Sequence, residues 1–162
     1  MTRYVMRQPW FTIGDDFLVL DDRGDLVFKV DGKLLSFRSS ATIRDRQGQA
    51  LMSVREVLLS LDRVTTLERN GAALGTVKQT GSTSDLKARF SVETEGSESL
   101  TVRDTGFRDY RIERGTSGVA TIVKATTGLR DRYDITVAAG EDVTLVLGVA
   151  VAIRQMARHS TD

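Results

Sequence analysis

EDVTLVLGVAVAIRQMARHSTD, residues 141–162, is the stretch whose reading decides the fold. From Val143 to Ile153 only Thr144 is polar. Such a run is a membrane anchor, a last β-strand, or a helix surrounded by protein. Spanning a bilayer takes about 20 apolar residues, whereas a run of about 10–14 is more often a buried core helix. This run has eleven, and the flank RQMAR (154–158) stops its extension. As a helix over 142–158 it is well punctuated. Asp142 is an N-cap candidate, Glu141 sits beside the positive end, and Arg154 and Arg158 sit near the negative end. A helix apolar all round belongs inside protein rather than on a surface. The β-branched run VTLVLGVAV (143–151) keeps a strand as the alternative.

What could surround such a helix is set by the preceding residues. Alternating apolar segments joined by polar, Gly-containing turns recur in FLVLDDRGDLVFKV (17–30), ATIRDRQGQALMSVR (41–55) and TTLERNGAALGTVK (65–78). RFSVETEGSESLTVR (89–103) and YRIERGTSGVATIVK (110–124) continue the series, and YDITVAAGED (133–142) begins a sixth unit. The turn glycines expected from this pattern are Gly24, Gly48, Gly71, Gly96, Gly118 and Gly140, spaced 22 to 25 residues apart. Strict alternation buries one strand face and solvates the other. Pro9 is the single proline, so nearly every residue can donate to a ladder.

These hairpins, the strand near 133–138 and an N-terminal strand near 3–13 give about twelve antiparallel strands. Closing the sheet removes unpaired edges. With strands ~4.8 Å apart and tilted by ~40°, twelve give a backbone diameter of roughly 24 Å. That leaves an axial space roughly 10–12 Å across, the width of one helix with its side chains. A final strand would leave the barrel hollow, and the helix fills it. The expectation is a mainly β fold: a closed antiparallel barrel around a buried C-terminal helix, as a single domain over 1–162.

Composition narrows the function classes. The 162 residues carry 23 basic and 22 acidic side chains, interspersed, without the basic stripe expected of a nucleic-acid binder. Zero cysteines exclude disulfides, thiolate metal sites and a cysteine nucleophile. MTRYVMRQPWF lacks the apolar core of a secretory signal, which sets cytoplasmic as the expected location. The single histidine, His159, argues against a Ser-His-Asp triad or a His-rich metal site. GxGxxG and GxxxxGK are absent. Asp15, Asp16, Asp21, Asp22 and Asp25 cluster around the first hairpin without calcium-loop spacing, and read as turn residues. Nothing calls for a metal or a cofactor, and no enzyme is expected.

Three segments carry a resemblance. YVMRQPWFTIGDDFLVLDDRGDLVFKVDGKLLSF (4–37), VREVLLSL (54–61) and AAGEDVTLVLGVAVAI (138–153) resemble the LURP-one-related family. Its fold is similar to the tubby C-terminal domain and the phospholipid scramblases, which implies twelve strands around a hydrophobic helix. Family members commonly carry Asp directly after the apolar helix, where this chain has Arg154. Tubby domains bind phosphoinositides through surface basic residues. The resemblance therefore implies a non-catalytic module for anionic lipid headgroups, peripheral to a membrane. A scaffold contacting another protein through its hairpin loops is the alternative.

Two basic pairs fit the lipid reading. Lys87 and Arg89, in DLKARFSV (85–92), and Arg130 and Arg132, in LRDRYDI (129–135), are spaced i, i+2. On a strand each pair projects from one face and could clamp one phosphate group. Trp10 and Phe11 read as a barrel-capping pair, with a membrane-dipping pair as the alternative. Val54, Val57, Leu58 and Leu61 have helical spacing, so VREVLLSL either leads a strand or makes one helical turn.

Overall fold

Alternation decides which way each strand faces. In the fourth hairpin Phe90, Val92, Leu100 and Val102 are buried, whereas Arg89, Thr101 and Arg103 are exposed. The computed structural model describes residues 1–9, 16–35, 38–59, 62–80, 89–106, 109–127 and 130–159. Trp10, Phe11, Asp15 and Lys87 lie outside the described residues.

The hairpins form in sequence order. β1 (Thr2–Arg7) precedes β2 (Phe17–Leu20) and β3 (Leu26–Leu35), then β4 (Arg38–Asp45) and β5 (Ala50–Leu59). β6 (Asp62–Arg69) and β7 (Ala72–Thr80) follow, then β8 (Arg89–Thr94) and β9 (Leu100–Gly106). β10 (Asp109–Arg114), β11 (Ser117–Thr127) and β12 (Arg130–Val137) complete the sheet. Every strand pairs antiparallel with its sequence neighbour, and β12 returns to pair with β1, with Thr2 opposite Val137. The barrel is closed, and no strand among these twelve is left as an edge.

The segment at 143–153 is a helix, α1 (Val143–His159), not a final strand. Every residue from Val146 to Met156 is buried, which is three turns of helix. A helix lying on a surface would expose at least one stripe, so α1 is enclosed on all sides. Its N-terminus is fixed by side chains the sequence marked out. Leu145 N donates to Asp142 Oδ1 at 3.2 Å, the N-cap bond. Arg69 Nη2 donates to Asp142 Oδ2 at 2.8 Å, and Arg114 grips Glu141 with two bonds of 2.7 and 3.0 Å. The strand ends thus hold the helix start by its acids. A Cβ placed on Gly148 would lie 2.5 Å from Met52 Sδ and 3.5 Å from Leu67 Cδ2. A side chain there would displace the end of Met52, so the glycine lets α1 lie close against β5 and β6. Among the described residues no helix is long and apolar enough to cross a membrane.

Two local expectations, the fifth turn glycine and the length of the first strand, need correction. The fifth hairpin turns at Gly115, with φ of +57°, and Gly118 lies within β11 opposite Glu113 at a register shift. The extra residue there lets both Val119 and Ala120 face inward. Gly140, with φ of +80°, turns the chain from β12 toward the helix, where the sixth unit runs into the apolar tail. Val54–Leu59 is strand throughout: Met52, Val54 and Glu56 alternate inward, and Val57 turns to the outer face. Its helical spacing arose because an outward valine completed the pattern. The first strand ends at Arg7, short of the expected 3–13.

Candidate anion-binding wall

With the interior filled, the outward faces are the accessible chemistry of the wall. Register builds a ladder there that no single strand reveals. Arg89 of β8 faces Arg103 of β9, and Arg103 faces Arg111 of β10. All three are exposed. Like charges directly opposite across strands are destabilising by roughly 0.2–1 kcal/mol per pair. Arg103 is relieved by an ion pair with Glu113, while Arg89 and Arg111 make no ion pair among the described residues.

A second basic row runs where the barrel closes. Arg132 of β12 faces Arg7 of β1, which faces Leu18 of β2, which faces Lys29 of β3. Arg130 shares the outward face of β12 with Arg132 and faces Thr127. Arg132 Nη2 lies 3.3 Å from Asp134 Oδ1, and Arg3 Nη2 reaches the same oxygen at 3.6 Å.

The sequence-expected residues are therefore placed as follows. Arg89 stands in the first row, and Arg130 and Arg132 in the second. Arg89 on β8 and Arg132 on β12 are four strands apart, roughly 19 Å around the wall at ~4.8 Å per strand, so these two do not converge on one ligand atom. Arg103, Arg111 and Arg7 were missed. Spacing along one strand shows i, i+2 neighbours, whereas these partners come from other strands and need the hairpin register. The acids near the first hairpin serve the backbone: Asp21 Oδ1 accepts from Arg23 N and Asp25 N at 2.9 Å each, and Asp16 Oδ1 accepts from Gly32 N at 2.9 Å. His159 ends α1, and its side chain lies outside what is described.

Inside the mouth at the C-terminal half of α1, polar groups pair among themselves. Arg154 is buried, lies over the Phe17 ring at 4.6 Å from its centroid, and donates from Nη2 to Asp131 Oδ2 at 3.3 Å. Lys124 Nζ meets the other carboxylate oxygen at 3.2 Å. Burial pushes the Tyr133 phenol up to about 12, helped by Asp131 and opposed by the Arg154 guanidinium. Further in, Glu56 and Thr65 are buried opposite each other on β5 and β6. At the other mouth a cavity of about 400 Å³ is lined by Gln49, Leu51, Asn70 and the Arg69–Asp142 pair.

A known sequence and a known structure are similar to this chain over nearly their whole lengths. The uncharacterized protein YxjI of Bacillus subtilis (strain 168) is 23% identical over 167 residues, covering 100% of this chain and 98% of YxjI. An X-ray structure of a protein from Arabidopsis thaliana superposes with a TM-score of 0.67 at 17% identity, covering 96% of this chain and 90% of that one. At that identity the likeness is one of fold, and the fold is the closed barrel described above. The LURP-one-related pattern matches residues 2–154, which takes in all twelve strands and most of the buried length of α1. The chain belongs to the LURP-one-related family.

Proposed function

We propose that this chain is a non-catalytic binding module whose outer wall docks on anionic phospholipid headgroups at a membrane surface. The observation that carries the reading is the Arg89–Arg103–Arg111 ladder, three exposed guanidiniums in register across adjacent strands. Such a ladder costs stability unless an anion meets it. Family membership and a barrel axis occupied by α1 support binding rather than catalysis. Arg130 and Arg132 extend the basic face, and Lys87, two residues before Arg89, is assigned to it by sequence alone.

The test is co-sedimentation with phosphatidylcholine vesicles containing phosphatidylglycerol. Each basic residue near an anionic surface contributes about 1 kcal/mol, so the triple variant Arg89→Gln, Arg103→Gln, Arg111→Gln should lose on the order of 100-fold in vesicle affinity. Added salt should weaken wild-type binding as it screens the exposed charges. A wild-type protein that ignores these vesicles at low salt would remove the lipid reading. A single stoichiometric protein partner would then point to the scaffold.

A further inference from the structure

Arg7 and Arg132 stand opposite each other on the outer faces of β1 and β12. The Nε atoms of both are buried, and neither finds a hydrogen-bond acceptor among the described residues. A buried donor without an acceptor is a standing cost, and two cations in cross-strand register add another. Charge balance points the same way. Asp134 Oδ1 is shared by Arg132 at 3.3 Å and Arg3 at 3.6 Å, and Arg7 makes no ion pair among the described residues. Two guanidiniums thus share one carboxylate and Arg7 stands beside them without one, while Lys29 lies further along the row beyond Leu18.

We infer that Arg7 and Arg132 form a two-guanidinium seat for one doubly charged oxyanion, a phosphate monoester group. Such a group carries a charge of about −1.5 to −2 at neutral pH and three acceptor oxygens, which matches the unbalanced charge of two outward guanidiniums in cross-strand register. Guanidinium forks suit it better than ammonium groups would. The inference rests on reading the wall as an anion-binding surface, and it names the chemistry one part of that wall selects. A lipid headgroup and a free phosphorylated compound share this chemistry.

Inorganic phosphate is titrated into the full chain near neutral pH, with the arginine Nε–H signals followed by NMR. Saturable shifts at Arg7 and Arg132 are expected, with affinity reduced at least tenfold in Arg7→Gln and in Arg132→Gln and unchanged in Arg46→Gln at a distant turn. Binding should weaken as pH falls through about 6, where the phosphate dianion takes up a proton. Without phosphate, Arg7→Gln should melt no lower than wild type, since the change removes a like-charge pair. Folded wild type that fails to bind phosphate, or glutamine variants that bind it as well as wild type does, would overturn the inference. Vesicles separate the sources. Preference for phosphatidic acid over phosphatidylglycerol, lost in Arg7→Gln, places the group on a lipid. Phosphate binding without any vesicle binding retains the seat, assigns it to a soluble compound, and discards the membrane reading. Vesicle binding that Arg7→Gln leaves intact discards the seat if phosphate binding is also intact, and assigns the seat to a soluble compound if phosphate binding is lost.

Discussion

Tyr133 holds its proton in the folded chain well beyond the point where a free tyrosine would lose it. Its ring packs on Phe17 at 6.1 Å between centroids, and burial is the main cause of the shift to about 12. An unfolded tyrosine titrates near pH 10. Below that pH both states keep the proton and the full stability is present. From about pH 10 to about 12 the unfolded chain gives up its proton while the folded chain retains it, so stability falls as pH rises. Tyr133→Phe removes this contribution. Urea melts across that range should show the variant losing less stability than wild type, by on the order of 2 kcal/mol. An identical alkaline slope in both would show that the phenol is not held this way. Arg154 is the second residue whose environment decides its effect. The resemblance led to an aspartate at this position, yet the guanidinium here faces Asp131 and the Phe17 ring. Arg154→Asp would set two carboxylates together in the mouth and should cost about 3 kcal/mol. Arg154→Met leaves Asp131 with Lys124 and should cost about 1 kcal/mol. Equal losses in denaturant melts would contradict this account of the pair.

At the scale of elements, close backbone approach sets the sensitive positions. A Cβ on Gly75 would lie 2.5 Å from the Glu93 carbonyl oxygen, so β7 and β8 would have to move apart. Gly118 has nothing within 4 Å. Gly75→Ala is expected to cost about 1–3 kcal/mol, whereas Gly118→Ala should stay within about 0.5 kcal/mol of wild type. Thermal melts of the two alanine variants make a direct comparison. The helix start is a further element-scale test. Asp142→Ala removes the bond to Leu145 N and the Arg69 pair, and should lower stability by about 1 kcal/mol. Much of this organisation was legible in the sequence. Alternation exposed the strand faces, the run at 143–153 announced an enclosed helix, and Asp142 announced its cap. Turn positions were less legible where two glycines competed. GTSG offers Gly115 and Gly118, and equal spacing favoured the second, while the bulge opposite Glu113 put the turn at the first. Glu56 was illegible as an inward residue because the hydrophobic pattern assigns a charge to the outside.

For the whole molecule, closure is what makes both the core and the wall. Twelve strands paired in sequence order leave only the junction of β1 with β12 as a long-range pairing, and that junction places Arg7 beside Arg132. The basic rows therefore arise from topology. A linear reading singled out Arg89, Arg130 and Arg132 but not their neighbours, because Arg103 and Arg111 are placed by the register of the hairpins and Arg7 meets Arg132 only after the ring closes. The same closure confines α1, whose residues Val146–Met156 can meet water only if the barrel opens. Native-state hydrogen exchange of these amides is the most direct test of that confinement. If α1 is enclosed, they exchange only through global unfolding, with opening free energies equal to the stability measured by denaturant. Exchange through local openings far below that value, with the strands still protected, would show that the helix is not held within the barrel.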